Sequence, residues 1–375
     1  MGNPRMKVLF FAPVPHFKGG AEISLKDLLA NSDIEPHLAV PAEGPLSEYA
    51  QARGIPVALI DMAEVGAIRR PFRPSSAFAV LPNLLKAARQ LNAAAKQLDV
   101  DIVHSNGLKA HAIALVARWL GGKPVLVHIR DIANTMVERM IWQGMGRAAD
   151  RTVIVSAACW PGRKPPANTT IIHDGFNAAP APVAHADRKP VTIGFVGRIH
   201  EWKGVHVLLD AVAALRREGL DVRTVIRGNF ENPGSAYERR IKKQVQDLGL
   251  SEHAIFDGFI ADPTKLYEGF DIVCVPSFVP EPLGRSVIEA MGYGIPVVAA
   301  RTGGIVSLID HGRTGFLADT EVDVVPYLRQ LSTDLSLRSR IGLAGYNHCR
   351  DKLSVARHDA ETTQVYRSLV SRVAS

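Results

Sequence analysis

Near the C-terminal end of the chain two carboxylates, Glu281 and Glu289, flank the start of a short helical pattern. Pro282 and Gly284 suit a turn that opens a helix, and Ser286-Val-Ile-Glu-Ala-Met291 has helical character. A helix start presents unpaired N–H groups and the positive end of the dipole, which suit a diphosphate. Carboxylates on either side can accept hydrogen bonds from hydroxyls. A ligand with phosphate between two polyols fits, and a nucleotide sugar is such a ligand. A second cluster, Gly197-Arg198-Ile-His-Glu-Trp-Lys203-Gly204, follows an apolar run and holds two cations in one loop. A diphosphate gains charge as a glycosidic bond breaks, so cations fixed there favour the transition state. Trp202, in the same loop, is placed to stack on a ligand or to pack. Gly19-Gly20 lie between the first apolar run and a helical pattern, where glycine lets the backbone approach a phosphate. His128 ends the run Val125-Leu-Val-His, with Arg130-Asp131 just beyond, and His104 ends another.

These residues need elements to hold them. Val8 to Ala12, Ile102 to His104, Val125 to His128 and Thr152 to Val155 read as buried parallel strands. Leu84 to Leu98, Ala110 to Leu120 and Met136 to Ala149 read as helices between them. A second series opens at Val191 to Val196 and continues through Val222 to Ile226, Ala254 to Phe256, Asp271 to Val275 and Pro296 to Ala299. Strand–helix alternation implies parallel sheets with right-handed crossovers. A proline- and alanine-rich stretch over residues 178–190 separates the series and reads as a linker. The predicted layout is an α/β chain. Residues 1–177 form one Rossmann-like domain, 191–354 a second, and 355–375 a closing helix. Parallel sheets bind ligands at the carboxyl ends of their strands, and every cluster above follows a strand.

Composition narrows the classes. At 375 residues and 47% hydrophobic content the chain can bury two cores, and no apolar run reaches membrane-spanning length. The N-terminal lead lacks a signal-peptide core, so a cytoplasmic location is expected. Cys159, Cys274 and Cys349 lie far apart without metal-ligand spacing, and Cys274 reads as a core residue. Of the net charge of +7, residues 1–180 hold +6, from 20 basic against 14 acidic side chains. That surplus, with Arg69-Arg70-Pro-Phe72-Arg73, points to an acidic acceptor or to peripheral contact with an anionic inner membrane face. Nucleic acid is not an expected partner, because the basic residues are not interleaved with aromatics and no recognition motif is present. No G-x-G-x-x-G follows either leading strand, which argues against a nicotinamide enzyme. Asp99-Val-Asp101 is a local Asp-x-Asp string whose place at a strand start reads as structural, so no metal or other cofactor is expected.

The stretch from Glu281 to Gly304 resembles the donor-site signature of family 4 retaining glycosyltransferases, which have the GT-B fold of two Rossmann-like domains facing one cleft. Residues 7–20 resemble that family's first strand and glycine turn, and Gly197 to Gly204 its basic phosphate loop. Ile171-Ile-His-Asp-Gly-Phe-Asn177 resembles its linker motif, and Gly312 to Leu317 its closing turn. The last helix, with Tyr366, resembles the one the family returns to its first domain. The resemblance implies a donor such as a UDP-, GDP- or ADP-sugar and a glycan, lipid-linked or small-molecule acceptor. It implies catalytic roles for His128, Glu281, Arg198 and Lys203. Gly19, Gly20, Leu283, Gly284, Arg285 and Glu289 would bind the donor, with Glu289 on the ribose and Glu281 on the sugar. His104, Arg130 and Asp131 would lie on the acceptor side. Ser307, where the family usually has Glu, and His173, where it has Pro, depart from the pattern. Alternatives within reach of the same residues are a nucleotide-sugar 2-epimerase and an inactive sugar-nucleotide-binding protein.

Overall fold

The computed structural model describes residues 5–17, 19–62 and 77–373. The basic string from Arg69 to Arg73 lies outside them. The chain divides into two compact units, one of residues 1–174 with 355–375 and one of residues 175–354.

The first unit is built on a seven-stranded parallel sheet in the order β3-β2-β1-β4-β5-β6-β7. Its strands are β1 (Met6–Phe11), β2 (Ile34–Val40), β3 (Val57–Leu59), β4 (Ile102–Asn106), β5 (Val125–Ile129), β6 (Arg151–Ile154) and β7 (Thr169–Ile171). Val8, Leu9, Phe10 and Phe11 are all fully buried, as a strand covered on both faces requires. Helices α1 (Gly20–Leu29), α2 (Pro45–Gln51), α3 (Ala77–Gln97), α4 (Leu108–Trp119) and α5 (Met136–Ala148) supply the crossovers. Helix α3 begins at Ala77 rather than Leu84 and carries Pro82 inside it, giving up one backbone hydrogen bond. Asp101 accepts the Lys7 backbone N–H at 2.8 Å, and Asp99 receives the Lys7 ammonium at 3.1 Å. That Asp-x-Asp string therefore ties β1 to the turn before β4.

The second unit holds a six-stranded parallel sheet, β10-β9-β8-β11-β12-β13. Its strands are β8 (Val191–Val196), β9 (Val222–Arg227), β10 (Ala254–Gly258), β11 (Ile272–Val275), β12 (Val297–Ala300) and β13 (Phe316–Ala318). Around it pack α6 (Val205–Arg217), α7 (Ala236–Asp247), α8 (Arg285–Gly292), α9 (Val324–Thr333) and α10 (Leu335–Lys352). The stretch 178–190 is pinned along this unit. Ala179 N–H donates to Gly292 O at 2.9 Å, Val183 N–H to Tyr293 O at 2.8 Å, and Arg188 to Asp271 at 3.0 Å.

The last helix, α11 (Val355–Val373), belongs to the first unit, where Val365, Tyr366 and Leu369 join the core with Val8, Phe10 and Leu126. All three cysteines are buried and none is in a disulfide among the described residues, with Cys274 in the second core.

Candidate active site

In each sheet the strand order reverses once beside the first strand, between β1 and β4 and between β8 and β11. Loops leaving the carboxyl ends of strands at such a point diverge to opposite faces and leave a crevice. The phosphate-loop candidate, residues 197–204, leaves β8, and the segment 276–284 leaves β11. Both therefore meet at the second unit's switch point.

There Lys203 Nζ lies 2.8 Å from Glu281 Oε1, with only 15% and 6% of the two side chains exposed. The ammonium also sits 4.3 Å from the centre of the Trp202 ring. The backbone of Glu281 is clamped from behind: Gly304 N–H donates to its carbonyl at 2.8 Å. A Cβ on Gly303 would meet that carbonyl at 2.2 Å, so glycine at position 303 is demanded by contact with Glu281. Gly284, at φ +99°, caps the start of α8 in a left-handed conformation open to glycine, and a Cβ there would strike Ile305 at 2.6 Å. Leu283 is buried beside it. The start of α8 is thus a fixed turn with an ion pair next to it.

Arg198 stands apart from that pair. Its side chain is 54% exposed and reaches Glu231 Oε1 at 2.5 Å. The two loop cations, expected to act together, have different partners. Lys203 is enclosed, because the Glu281 carboxylate and the Trp202 face close over it.

Glu289 is also engaged. Arg285 Nε donates to its Oε1 at 2.6 Å, and the Tyr267 hydroxyl to its Oε2 at 2.8 Å. Tyr267 is itself stacked on Tyr293 with ring centres 5.4 Å apart. Arg285 adds its guanidinium one turn before Glu289. A carboxylate has about four lone-pair sites, so both oxygens still accept further hydroxyls. Beside the loop from His200 to Gly204 a cavity of about 370 Å³ is lined by Trp202, His206, Phe278, Val279 and Glu321.

In the first unit Gly19 caps α1 and Gly20 is its first residue. Gly19 has φ −156°, an extended conformation any residue adopts, and a Cβ there would meet only Glu22 Oε2 at 3.3 Å. Local geometry therefore does not require glycine at position 19. His104 and His128 are fully buried on neighbouring strands, with His104 Nε2 and His128 Nδ1 3.1 Å apart. Burial, reinforced by the Arg130 charge, pushes both imidazoles well below their usual pKa and keeps them neutral. Arg130 is drawn inward: it forms an ion pair with Asp174, donates to Ser24 at 2.7 Å and Asn106 at 3.1 Å, and approaches His128 at 3.2 Å. Asp131 is exposed.

Four partners, Glu231, Tyr267, Asp174 and Ser24, had no assigned role from sequence. Asp174 alone sat in a singled-out motif, Ile171 to Asn177; the others lie far along the chain from the residues they hold. Among the described residues, no group of three or more His, Cys, Asp or Glu side chains is arranged to hold a metal ion.

The model of glycosyl transferases group 1 matches residues 181–348, and that of glycosyltransferase family 4 matches residues 18–159. A D-inositol 3-phosphate glycosyltransferase of Corynebacterium jeikeium (strain K411) is 37% identical over 165 residues. That match covers 42% of this chain and 38% of the relative. The chain thus matches about two fifths of the curated relative's length. The crystal structure of Anabaena Alr3699/HepE in complex with UDP and glucose superposes with a TM-score of 0.79 at 24% identity, over 97% of this chain and 100% of that one. A sucrose-phosphate synthase from Thermosynechococcus elongatus gives a TM-score of 0.77 at 19% identity, over 98% and 100%. The two units have the GT-B architecture, and with one family model on each of them the chain belongs to the family 4, group 1 glycosyltransferases.

Proposed function

We propose that this chain moves a sugar from a nucleoside-diphosphate sugar to a hydroxyl of a glycan, lipid-linked or small-molecule acceptor. The product is an α-glycoside formed with retention and without a metal ion. The observation that carries this reading is the Lys203–Glu281 pair set at the start of α8. The Lys203 ammonium and the N–H groups of Gly284 and Arg285 stabilise the departing diphosphate, which is the work a divalent ion does elsewhere. Arg198 adds a second cation at the loop's outer edge. Glu281 holds the donor sugar as its ring gains oxocarbenium character, and Glu289 accepts the ribose hydroxyls. The sugar C1–oxygen bond to phosphate breaks and a bond from C1 to the acceptor oxygen forms on the same face. The acceptor's proton passes to the leaving diphosphate oxygen. His128 hydrogen-bonds the transferred sugar, and Asp131 lies on the acceptor side. The relatives' names support a nucleotide-sugar donor, since the Anabaena protein was crystallised with UDP and glucose. The reading places the chain in the cytoplasm, peripheral at the inner membrane face.

A thermal-shift screen against UDP-, GDP- and ADP-sugars in EDTA tests it. One nucleotide class should stabilise the protein by about 2.7 kcal/mol at a hundredfold excess over Kd. No shift with any of them would overturn the reading.

A further inference from the structure

We propose that Tyr366 and His104 are positioning residues that hold His128 in the tautomer carrying its proton on Nε2. The inference rests on the reading of His128 as a sugar contact. It is argued from one hydrogen-bonded chain within the first unit. The Tyr366 hydroxyl lies 2.5 Å from His104 Nδ1, His104 Nε2 lies 3.1 Å from His128 Nδ1, and Arg130 Nη2 lies 3.2 Å from the same His128 Nδ1.

Arginine has donors only, so the atom it faces must accept. His128 Nδ1 is therefore bare, and His104 Nε2 must donate to it. A neutral His104 with its proton on Nε2 has a bare Nδ1, which accepts the Tyr366 O–H. Every polarity along the chain follows from the guanidinium at its end. Both imidazoles are buried and neutral, so each carries one proton. His128 is left with an N–H on Nε2, and that atom is buried with no hydrogen-bond partner among the described residues. A buried donor without a partner is an uncommon feature of a folded interior and is expected where a ligand oxygen completes it. Of the neighbours facing the pair, Arg130 is held by Asp174, Ser24 and Asn106, His111 Nδ1 is hydrogen-bonded to Ser105 at 2.8 Å, and His358 faces Asp174 at 4.0 Å; the Nε2 atoms of His111 and His358 also have no hydrogen-bond partner among the described residues. The ring of His104 is further fixed by Phe10, with centres 5.0 Å apart. Tyr366 is supplied by α11, so a helix more than 200 residues further along the chain bears on the tautomer of a histidine in β5.

The test is nitrogen-15 NMR of the imidazoles in full-length protein labelled at histidine, with His128→Gln used to assign the signals. His128 should show a protonated Nε2 and a bare Nδ1, and His104 the same pattern. In Tyr366→Phe and His104→Leu the His128 signals should shift toward a mixture of tautomers. His104→Gln, which keeps an N–H near the Nε2 position, should restore the Nε2-protonated form. Donor kcat should fall about tenfold in Tyr366→Phe and His104→Leu while donor Kd holds, and His104→Gln should recover most of it. A protonated Nδ1 on wild-type His128, or unchanged His128 signals in both disrupting variants, overturns the proposal whatever the enzyme's activity. Tautomers that behave as described with no transfer activity in the wild type would instead count against the reading of function. Thermal melts of each variant separate lost folding from lost positioning.

Discussion

Removing Lys203 does two things at once, and the geometry separates them. In the proposed reaction the side chain is a transition-state cation, and it is also the charge paired with a Glu281 carboxylate that is 6% exposed. Lys203→Ala should cut turnover by roughly a hundredfold or more. It should also destabilise the fold by about 3 kcal/mol, because it leaves a buried carboxylate unpaired. Arg198→Ala should lose turnover without that penalty, since an exposed pair with Glu231 adds little to stability. Denaturant melts and kcat of the two variants check this, and adding Glu281→Gln to Lys203→Ala should restore stability but not turnover. Equal stability of Lys203→Ala and wild type would mean that the pair does not form. The two carboxylates divide likewise. Glu281→Gln should chiefly lower kcat. Glu289→Gln should chiefly weaken donor binding, with some loss of stability as Arg285 and Tyr267 lose their partner. Calorimetric Kd and kcat at saturating donor measure each, and a Glu281→Gln variant that raises only Kd would reverse the assignment.

At the scale of elements, α5 is the helix that departs from an ordinary pattern. Glu138, Trp142 and Gly146 face inward, while Met136 is 72%, Val137 53% and Met140 68% exposed. Arg139 and Arg147 on the same helix are exposed too. Apolar residues among arginines on a solvent face suit the plane of an anionic bilayer. No described helix is long and apolar enough to cross one. Liposome sedimentation should therefore depend on anionic lipid, weaken with salt, and drop in Met136→Asp/Met140→Asp with the melting temperature kept. Equal recovery from neutral and anionic vesicles would count against membrane contact. Strands β4 and β5 with α4 carry a second consequence. His104, His128 and His111 are buried and neutral, His111 with its pKa pushed down to about 3 by burial. Their folded pKa values lie below the unfolded value, so the unfolded chain binds more protons as pH falls. Stability is full above about pH 6.5 and should drop below it by roughly 1.4 kcal/mol per histidine per pH unit. Urea melts between pH 7.5 and 5 read this slope, and His111→Gln should flatten it.

Over the whole molecule, legibility followed burial and the position of the switch points. β11 is a continuous apolar run, and β1, β5 and β8 are mostly apolar, because both faces of each sheet are covered, and they were readable for that reason, while β4 was readable from Ile102 and Val103 before it turns polar at His104. β2 was hidden by Glu35, Pro36 and His37, and β3, β7 and β13 are three residues each, too short for any period. The site loops were readable because each follows an apolar run and carries its own glycines and charged residues in sequence. Their side-chain partners were not: Tyr267 on Glu289, Glu231 on Arg198 and Asp174 on Arg130 are brought in by tertiary packing and leave no local spacing signal. The same limit hid the enclosure of Lys203.

Transfer from a nucleoside-diphosphate sugar with retention can be read from proton NMR of the first sugar released. The protein would be incubated with α-linked UDP-, GDP- and ADP-sugars in EDTA, with water as acceptor, and the anomer recorded before mutarotation. The α-anomer should appear first from one donor class, and more slowly by about a hundredfold with Lys203→Ala. First release of the β-anomer would rule out retention, and no turnover of any donor would rule out sugar transfer.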